Sequence, residues 1–215
     1  DPQTADWFCK ALEERMLSTP DRQAQTTHLI LLGDLFEAWV GDDQCDQSAQ
    51  RLVELIRVIT KSKPVFVMRG NRDFLLDIPL SGAGNVSFTQ QTGASMLADP
   101  CVLTLAGHRW VLIHGDALCT DDTAYQAFRR LSRTESWQHE FLSQPLQQRM
   151  ALATQMRTQS ENEKRNKAAY LTDVSPQAVQ ACLVENDSRN MIHGHTHRPR
   201  QHQWTLNGTN YVRHV

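Results

Sequence analysis

HLILLGD, residues 28–34, is a short apolar run that empties into a Gly-Asp pair. The run His28–Leu32 fits a strand buried in a sheet, and Gly33-Asp34 fits the loop that ends it. Downstream, Ser48–Lys61 sets Leu52, Val53, Leu55, Ile56 and Ile59 at helical spacing. Pro64–Met68 is a second apolar run, and it ends in Arg69-Gly70-Asn71. A strand–helix–strand succession needs a crossover, so it implies parallel strands covered by helices. Upstream, Thr4–Leu17 carries Trp7, Phe8, Leu12 and Leu17 along one helical stripe.

The same punctuation recurs further along the chain. Cys101–Leu105, then Gly107-His108, then Trp110–Ile113 reads as a hairpin whose second strand runs into His114-Gly115-Asp116. Val86–Cys101 has no clear pattern, and Asp121 to about Glu185 reads as mostly helical. Ser175-Pro176 fits an N-cap followed by proline at the first helical position. Asn190–Ile192 is a short strand that runs into His193-Gly194-His195-Thr196-His197. Asn207-Gly208 between Gln203–Leu206 and Thr209–Val212 is a strong hairpin signal. Asp34, Asn71, His114 and the His195/His197 pair thus each follow a strand. Ligands of α/β sheets bind beyond the carboxyl ends of strands, so four strands are expected to deliver these residues to one rim.

The chemistry of the set points to metal. A carboxylate such as Asp34 can bridge two cations, and an Asn amide oxygen such as Asn71 is a neutral hard ligand. Neutral imidazole suits Mn, Zn or Fe. His195 and His197 would face one site together if their segment is extended, because alternate residues then point the same way. His193 would join them only with a change of backbone. Each word alone has a plainer reading: a turn for Gly33-Asp34 and Gly70-Asn71, a structural residue for His114. Together, mixed oxygen and nitrogen ligands from separate loops suit a two-metal site that activates water against a phosphoester. Arg72 offers a fork of donors for a phosphate. No Gly-rich P-loop and no G-x-S-x-G elbow is present.

Composition narrows the partners. The 215 residues hold 22 Lys and Arg against 24 Asp and Glu, a net charge of −2, so no global basic field argues for nucleic acid. No apolar run has the length of a membrane span. The five cysteines are odd in number, scattered and free of CxxC pairs, which argues against a disulfide framework or a zinc ribbon.

The order Gly33-Asp34, Gly70-Asn71, His114-Gly115-Asp116, Gly194-His195-x-His197 resembles the calcineurin-like metallophosphoesterases. The words GDLFEAWVGDD (33–43), RGNRDFLL (69–76), HGDALCTDD (114–122) and HGHTHRP (193–199) are similar, more narrowly, to the UDP-2,3-diacylglucosamine pyrophosphatases of lipid A biosynthesis. The resemblance implies an α/β sandwich of mixed sheets flanked by helices, one domain over 1–215 with a helical cap insertion over about 121–170. It implies hydrolysis of UDP-2,3-diacylglucosamine to UMP and 2,3-diacylglucosamine 1-phosphate (lipid X), water attacking the UMP-side phosphorus with two Mn2+ ions. Carried over by position, Asp34 bridges both metals, Asn71, His114 and His195 bind one, and His197 binds the other. Arg72 and His195 are the catalytic pair. Asn71, Arg72, Asp122, Ser160, Lys164, Lys167 and His195 contact substrate, although Lys164 stands where Asn is expected. An always-charged Arg72 is a poor general acid and better suited to neutralising phosphate charge. The family opens with a strand ending in Asp-x-His that does not precede Gly33-Asp34 here, and it continues with more strands after Val215. The expectation is a trimmed chain.

Residues 121–170 carry Tyr125, Phe128, Leu131, Trp137, Phe141, Leu142, Leu146, Met150, Leu152 and Met156 at helical spacing. Such a pattern is ordinarily core. Lying between two metal motifs, it reads as a cap able to take acyl chains. The segment has eight basic and six acidic residues, a lean toward anionic lipid, and the expected location is the cytoplasmic face of the inner membrane as a peripheral protein. The competing readings are another phosphodiesterase or phosphatase on the same scaffold, and a metal-poor, non-catalytic homologue that binds lipid or protein.

Overall fold

The computed structural model describes residues 2–17, 26–44, 46–80, 85–166 and 173–215. Two sheets organise it. The first is parallel, in the order β1 (Leu29–Leu32), β2 (Val65–Met68), β3 (Ser95–Leu97). The second runs β4 (Cys101–Leu105), β5 (His108–Ile113), β6 (Asn190–His193), β8 (Thr209–His214), β7 (Gln201–Leu206). In it β5, β6 and β8 are parallel, while β4 and β7 close the edges as antiparallel hairpin partners. The α/β architecture flanked by helices is the one expected. The smaller sheet differs in being wholly parallel, because each of its strands is reached by a crossover and none by a hairpin.

Local chemistry sets the boundaries. Helix α1 (Pro2–Met16) buries Cys9, Leu12 and Met16. Helix α2 (Gln47–Thr60) starts where the Asp46 side chain accepts from the Ala49 N–H, and its apolar stripe buries Leu52, Leu55, Ile56 and Ile59. The stretch without a clear pattern holds a five-residue helix, α3 (Phe88–Thr92), opened by a Ser87/Gln90 capping box, and then β3. Elements of five and three residues are too short for periodicity to announce. Both hairpins turn on two left-handed residues, Ala106-Gly107 and Asn207-Gly208, as a two-residue type I′ turn requires. The first turn falls one residue earlier than expected, and His108 opens β5 opposite Leu105.

Helices α4 (Thr123–Ser132), α5 (Glu135–Leu142) and α6 (Leu146–Asn166) form the segment between the sheets' motifs, and α7 (Pro176–Glu185) begins at the expected Ser175 cap. The apolar residues of that segment divide. Phe141 and Leu142 are buried in the core of α1, α2 and the first sheet, with Trp137, Leu146 and Leu152 packed against it. Leu131, Met150 and Met156 are exposed. A second core joins β5, β6 and α7 through Val111, Ile113, Val179, Leu183 and Met191. Among the described residues no helix is long and apolar enough to cross a membrane.

One buried ion pair fastens α6 to the loop after β1. Arg149, 2% exposed, donates to the Val40 carbonyl and makes a two-pronged contact with Asp43. Removing Arg149 leaves the partly buried Asp43 carboxylate and the Val40 carbonyl without their partner. Arg149→Leu should cost about 2 kcal/mol, a fall in Tm of about 4–8 °C by calorimetry, with faster proteolysis of the α5–α6 connection.

Candidate metal centre

The site is built where β1 and β2 of the first sheet meet β5 and β6 of the second, at the carboxyl ends of all four strands. Gly33 and Asp34 turn the chain sharply after β1, both with positive φ (82° and 54°). This brings the loop against the one after β2 so tightly that neither glycine has room for a side chain. A Cβ on Gly33 would stand 2.5 Å from the Gly70 nitrogen and 2.7 Å from His114 Nδ1, and one on Gly70 would overlap the Asp34 nitrogen and carboxylate. Asp73 locks the approach. Its fully buried carboxylate accepts from the Gly70 N–H (2.6 Å), the Leu35 N–H (2.7 Å) and the Asp34 N–H (3.2 Å). Burial and the facing Asp34 carboxylate push the Asp73 acid up to about 6, while the amides of Gly70 and Leu35 pull the other way. In return, Asp34 Oδ1 accepts from the Arg72 N–H at 2.9 Å.

The second sheet contributes two imidazoles. His114, 1% exposed, lies with Nδ1 2.8 Å from the Leu32 carbonyl oxygen. A carbonyl cannot donate, so Nδ1 carries the proton and the other ring nitrogen of the neutral ring carries a lone pair. That nitrogen, Nε2, faces Asn71 Oδ1 at 3.1 Å and Asp34 Oδ1 at 3.6 Å. His195 Nδ1 lies 2.7 Å from the same Asn71 oxygen. One ligand atom each from Asp34, His114 and His195 lies within 4.8 Å of the others. Lone pairs of nitrogen and two oxygens aimed at one another repel unless positive charge stands between them. A divalent cation supplies that charge, and the imidazole–carbonyl contact behind His114 is how metal-ligating histidines are commonly oriented. The donor set therefore fits a divalent metal.

The other residues singled out from the sequence fall in different places. His197 is exposed and outside this cluster. The expectation of an extended His195–His197 segment does not hold. Both residues have positive φ (68° and 54°) and Thr196 N–H bonds back to the Gly194 carbonyl, so the alternation that would aim both rings together is lost. His193 is buried, its Nδ1 on the Gly194 carbonyl, and burial lowers its pKa to about 4. Arg72 reaches outward to Glu37 at 2.6 Å. Asp122 caps α4 through the Tyr125 N–H. Ser160 is exposed on α6, the Lys164 side chain lies outside what is described, and Lys167 lies outside the described residues.

Several residues behind the cluster had no role assigned from the sequence. Asp99 accepts the His114 N–H at 3.0 Å. Asp116, 1% exposed, accepts from the Tyr125 hydroxyl and from Arg129 Nε at 2.9 Å. Burial alone would raise its pKa, but Arg129, the Tyr125 hydroxyl and Arg133 outweigh it and hold the acid ionised. Arg133 donates to the Gly70 carbonyl and stacks over Phe74, whose ring neighbours Trp137. Asp73 and Asp116 stood inside the quoted motifs, so proximity to a ligand in sequence was their available signal. Asp99 and Arg133 had none.

No family model matches the chain. Curated relatives do. A UDP-2,3-diacylglucosamine hydrolase of Stenotrophomonas maltophilia is 40% identical over 215 residues, covering 96% of this chain and 81% of the relative. One from Chromohalobacter salexigens is 40% identical over 188 residues, covering 87% of this chain and 72% of that protein. The chain belongs to the UDP-2,3-diacylglucosamine hydrolase family. A third relative of that name, from Chromobacterium violaceum, is 45% identical over 175 residues, 81% of this chain and 70% of its own length. Membership makes the chain one of a family of hydrolases, and the converging donors give it a candidate metal centre.

The tight approach of the two loops can be probed directly. If the cluster holds a divalent cation, Gly70→Ala should weaken its binding sharply, read by isothermal titration, because the new methyl displaces Asp34. A neutral Gly-free surface control, Thr205→Ala, should bind as the parent does.

Proposed function

We propose that this chain hydrolyses the pyrophosphate bond of UDP-2,3-diacylglucosamine to UMP and 2,3-diacylglucosamine 1-phosphate, water attacking the UMP-side phosphorus. The single observation that carries the reading is the convergence of Asp34, Asn71, His114 and His195 at the joint of two sheets. The names of the relatives supply the substrate.

The cofactor in this reading is a pair of Mn2+ ions. Asp34, Asn71, His114 and His195 would hold one, and Asp34 with His197 would share in the other. Bound divalent ions supply an acidified water and neutralise phosphoryl charge. The chain's own residues do the rest. Asp73 fixes Asp34 and the Gly70 loop, so the donors need no reorganisation as charge develops. Arg72, permanently charged, binds and neutralises a phosphoryl oxygen rather than donating a proton. His195 is held by Asn71 and lies alongside the Tyr125 ring, centroids 6.2 Å apart, which limits its rotation at the reacting phosphate. Asp122, Ser160, Lys164 and Lys167 complete the substrate contacts.

Helices α4–α6 act as the cap of a single domain. A cleft lined by Trp137, Phe141, Leu152 and Met156, with Glu140 and Gln144 at its polar side, supports a role in holding acyl chains. The exposed Leu131, Met150 and Met156 support peripheral attachment to the cytoplasmic face of an anionic inner membrane.

The test is UMP release from UDP-2,3-diacylglucosamine with and without Mn2+. Activity should depend on the metal, and His195→Ala should lower kcat by two orders of magnitude or more, since even residues behind metal ligands cost about 10–100-fold. No UMP release by the metal-loaded chain would sink the reading. In a flotation assay, vesicles rich in anionic lipid should carry the chain upward, and Leu131→Ser with Met150→Ser should reduce the floated fraction.

A further inference from the structure

Glu37 sits in the loop after β1, where a single carboxylate oxygen faces two arginines. Its Oε2 lies 2.6 Å from Arg72 Nη1 and 2.6 Å from Arg157 Nη1. Arg72 belongs to the β2 loop and also approaches Asp34, with Nε 3.9 Å from Oδ2. Arg157 belongs to α6. A line of alternating charge therefore runs from the metal centre to the cap helix through Asp34, Arg72, Glu37 and Arg157. Ser160 stands one turn beyond Arg157 on the same helical face.

Two features make this contact different from the Asp43–Arg149 pair on the same helix. The Glu37 side chain is 50% exposed and that of Arg157 44%, whereas Arg149 is 3% exposed. Ion pairs this well solvated are weak and exchange partners readily. One carboxylate oxygen of Glu37 is also shared by two guanidinium groups, with the Asp34 carboxylate further off at 3.9 Å from Arg72 Nε. Guanidinium forks donate to carboxylate and phosphoryl oxygens in the same geometry, and an anion carrying more than one negative charge satisfies both forks better than Glu37 does.

We propose that Glu37 is a built-in competitor for the phosphate subsite: it holds Arg72 and Arg157, and the diphosphate of the substrate displaces it to bind both arginines. The inference deepens the function proposed above and rests on it for the identity of the anion. Glu37 sets specificity by exclusion. A weakly charged anion fails to displace a tethered carboxylate, while a diphosphate brings enough charge to do so. Arg149 keeps α6 in place throughout, so the exchange needs only side-chain movement.

The test is calorimetric binding of UDP at low ionic strength, with uridine as the control that lacks phosphate. Glu37→Gln keeps the shape and removes the charge. It should tighten UDP binding by about three- to tenfold and leave uridine unchanged. Glu37→Asp, which keeps the charge, should bind UDP as the parent does. Arg157→Gln should weaken UDP binding, and the double variant should lose most of the gain seen in Glu37→Gln. Unchanged or weaker UDP binding by Glu37→Gln overturns the proposal. A fall in Tm of more than a few degrees in Glu37→Gln also overturns it, since a displaceable, half-exposed carboxylate is no anchor of the fold. Failure to hydrolyse the UDP-lipid with the UDP gain intact counts only against the proposed function. Normal hydrolysis with no gain counts only against the competitor role.

Discussion

Asp73 accepts three backbone N–H groups with one carboxylate, and those amides come from the loops after two different strands. Burying that acid is costly, and its raised pKa records the cost. What it gains is geometry. Gly33 and Gly70 allow the loops to touch, and Asp73 then fixes their register, so Asp34 and Asn71 are held relative to each other by the backbone. Loops are ordinarily the variable part of a fold. Here the two that carry the oxygen donors are cross-linked as firmly as paired strands.

The two imidazoles depend on the second sheet, and the two sheets are tied through the side chains of the candidate centre. His114 leaves β5 and donates to the carbonyl of Leu32 at the end of β1, while its own N–H is taken by Asp99 and its carbonyl accepts from Gly194. Its backbone is held at both the N–H and the carbonyl, and its ring is oriented by the Leu32 carbonyl. Behind it, Asp116 gathers the Tyr125 hydroxyl, Arg129 and Arg133, all from α4 and the residue after it. Helices α4 and α5 are therefore tied to the centre by charge as well as by the Phe74, Trp137 and Phe141 rings.

What could be read from the sequence followed from strong local signals. Uninterrupted apolar runs located β1 and β2, Asn207-Gly208 located the last hairpin, and Ser175-Pro176 located the start of α7. Each is a short-range rule with a mechanism. The four donors Asp34, Asn71, His114 and His195 were legible because each follows a strand, and strand ends converge. The His195–His197 segment is not extended for a physical reason: the argument assumed period-two alternation, which holds only while φ stays extended. Asp99 and Arg133 were invisible because their roles depend on tertiary neighbours, as did the division of the apolar residues of α4–α6 between core and surface. Leu142 and Met150 look alike in sequence, and only packing separates a buried residue from an exposed one.

The backbone around the centre carries strain that needs a source. Asp34, His195 and His197 all adopt left-handed φ, a region that costs a non-glycine residue about 1–3 kcal/mol. Asp and His tolerate it better than branched residues do. Strain of that size persists only where surrounding contacts over-determine the conformation. Asp34 meets that condition, since its N–H is held by Asp73 and its carboxylate by the Arg72 amide. His195 meets it through Asn71 and the Tyr125 ring. His197 is exposed, and the contacts that hold the other two do not extend to it, so its left-handed geometry is inherited from the Gly194–Thr196 turn. The three residues thus rank by how firmly they are fixed. Asp34 and His195 are held on several sides, and His197 is the least restrained of the three.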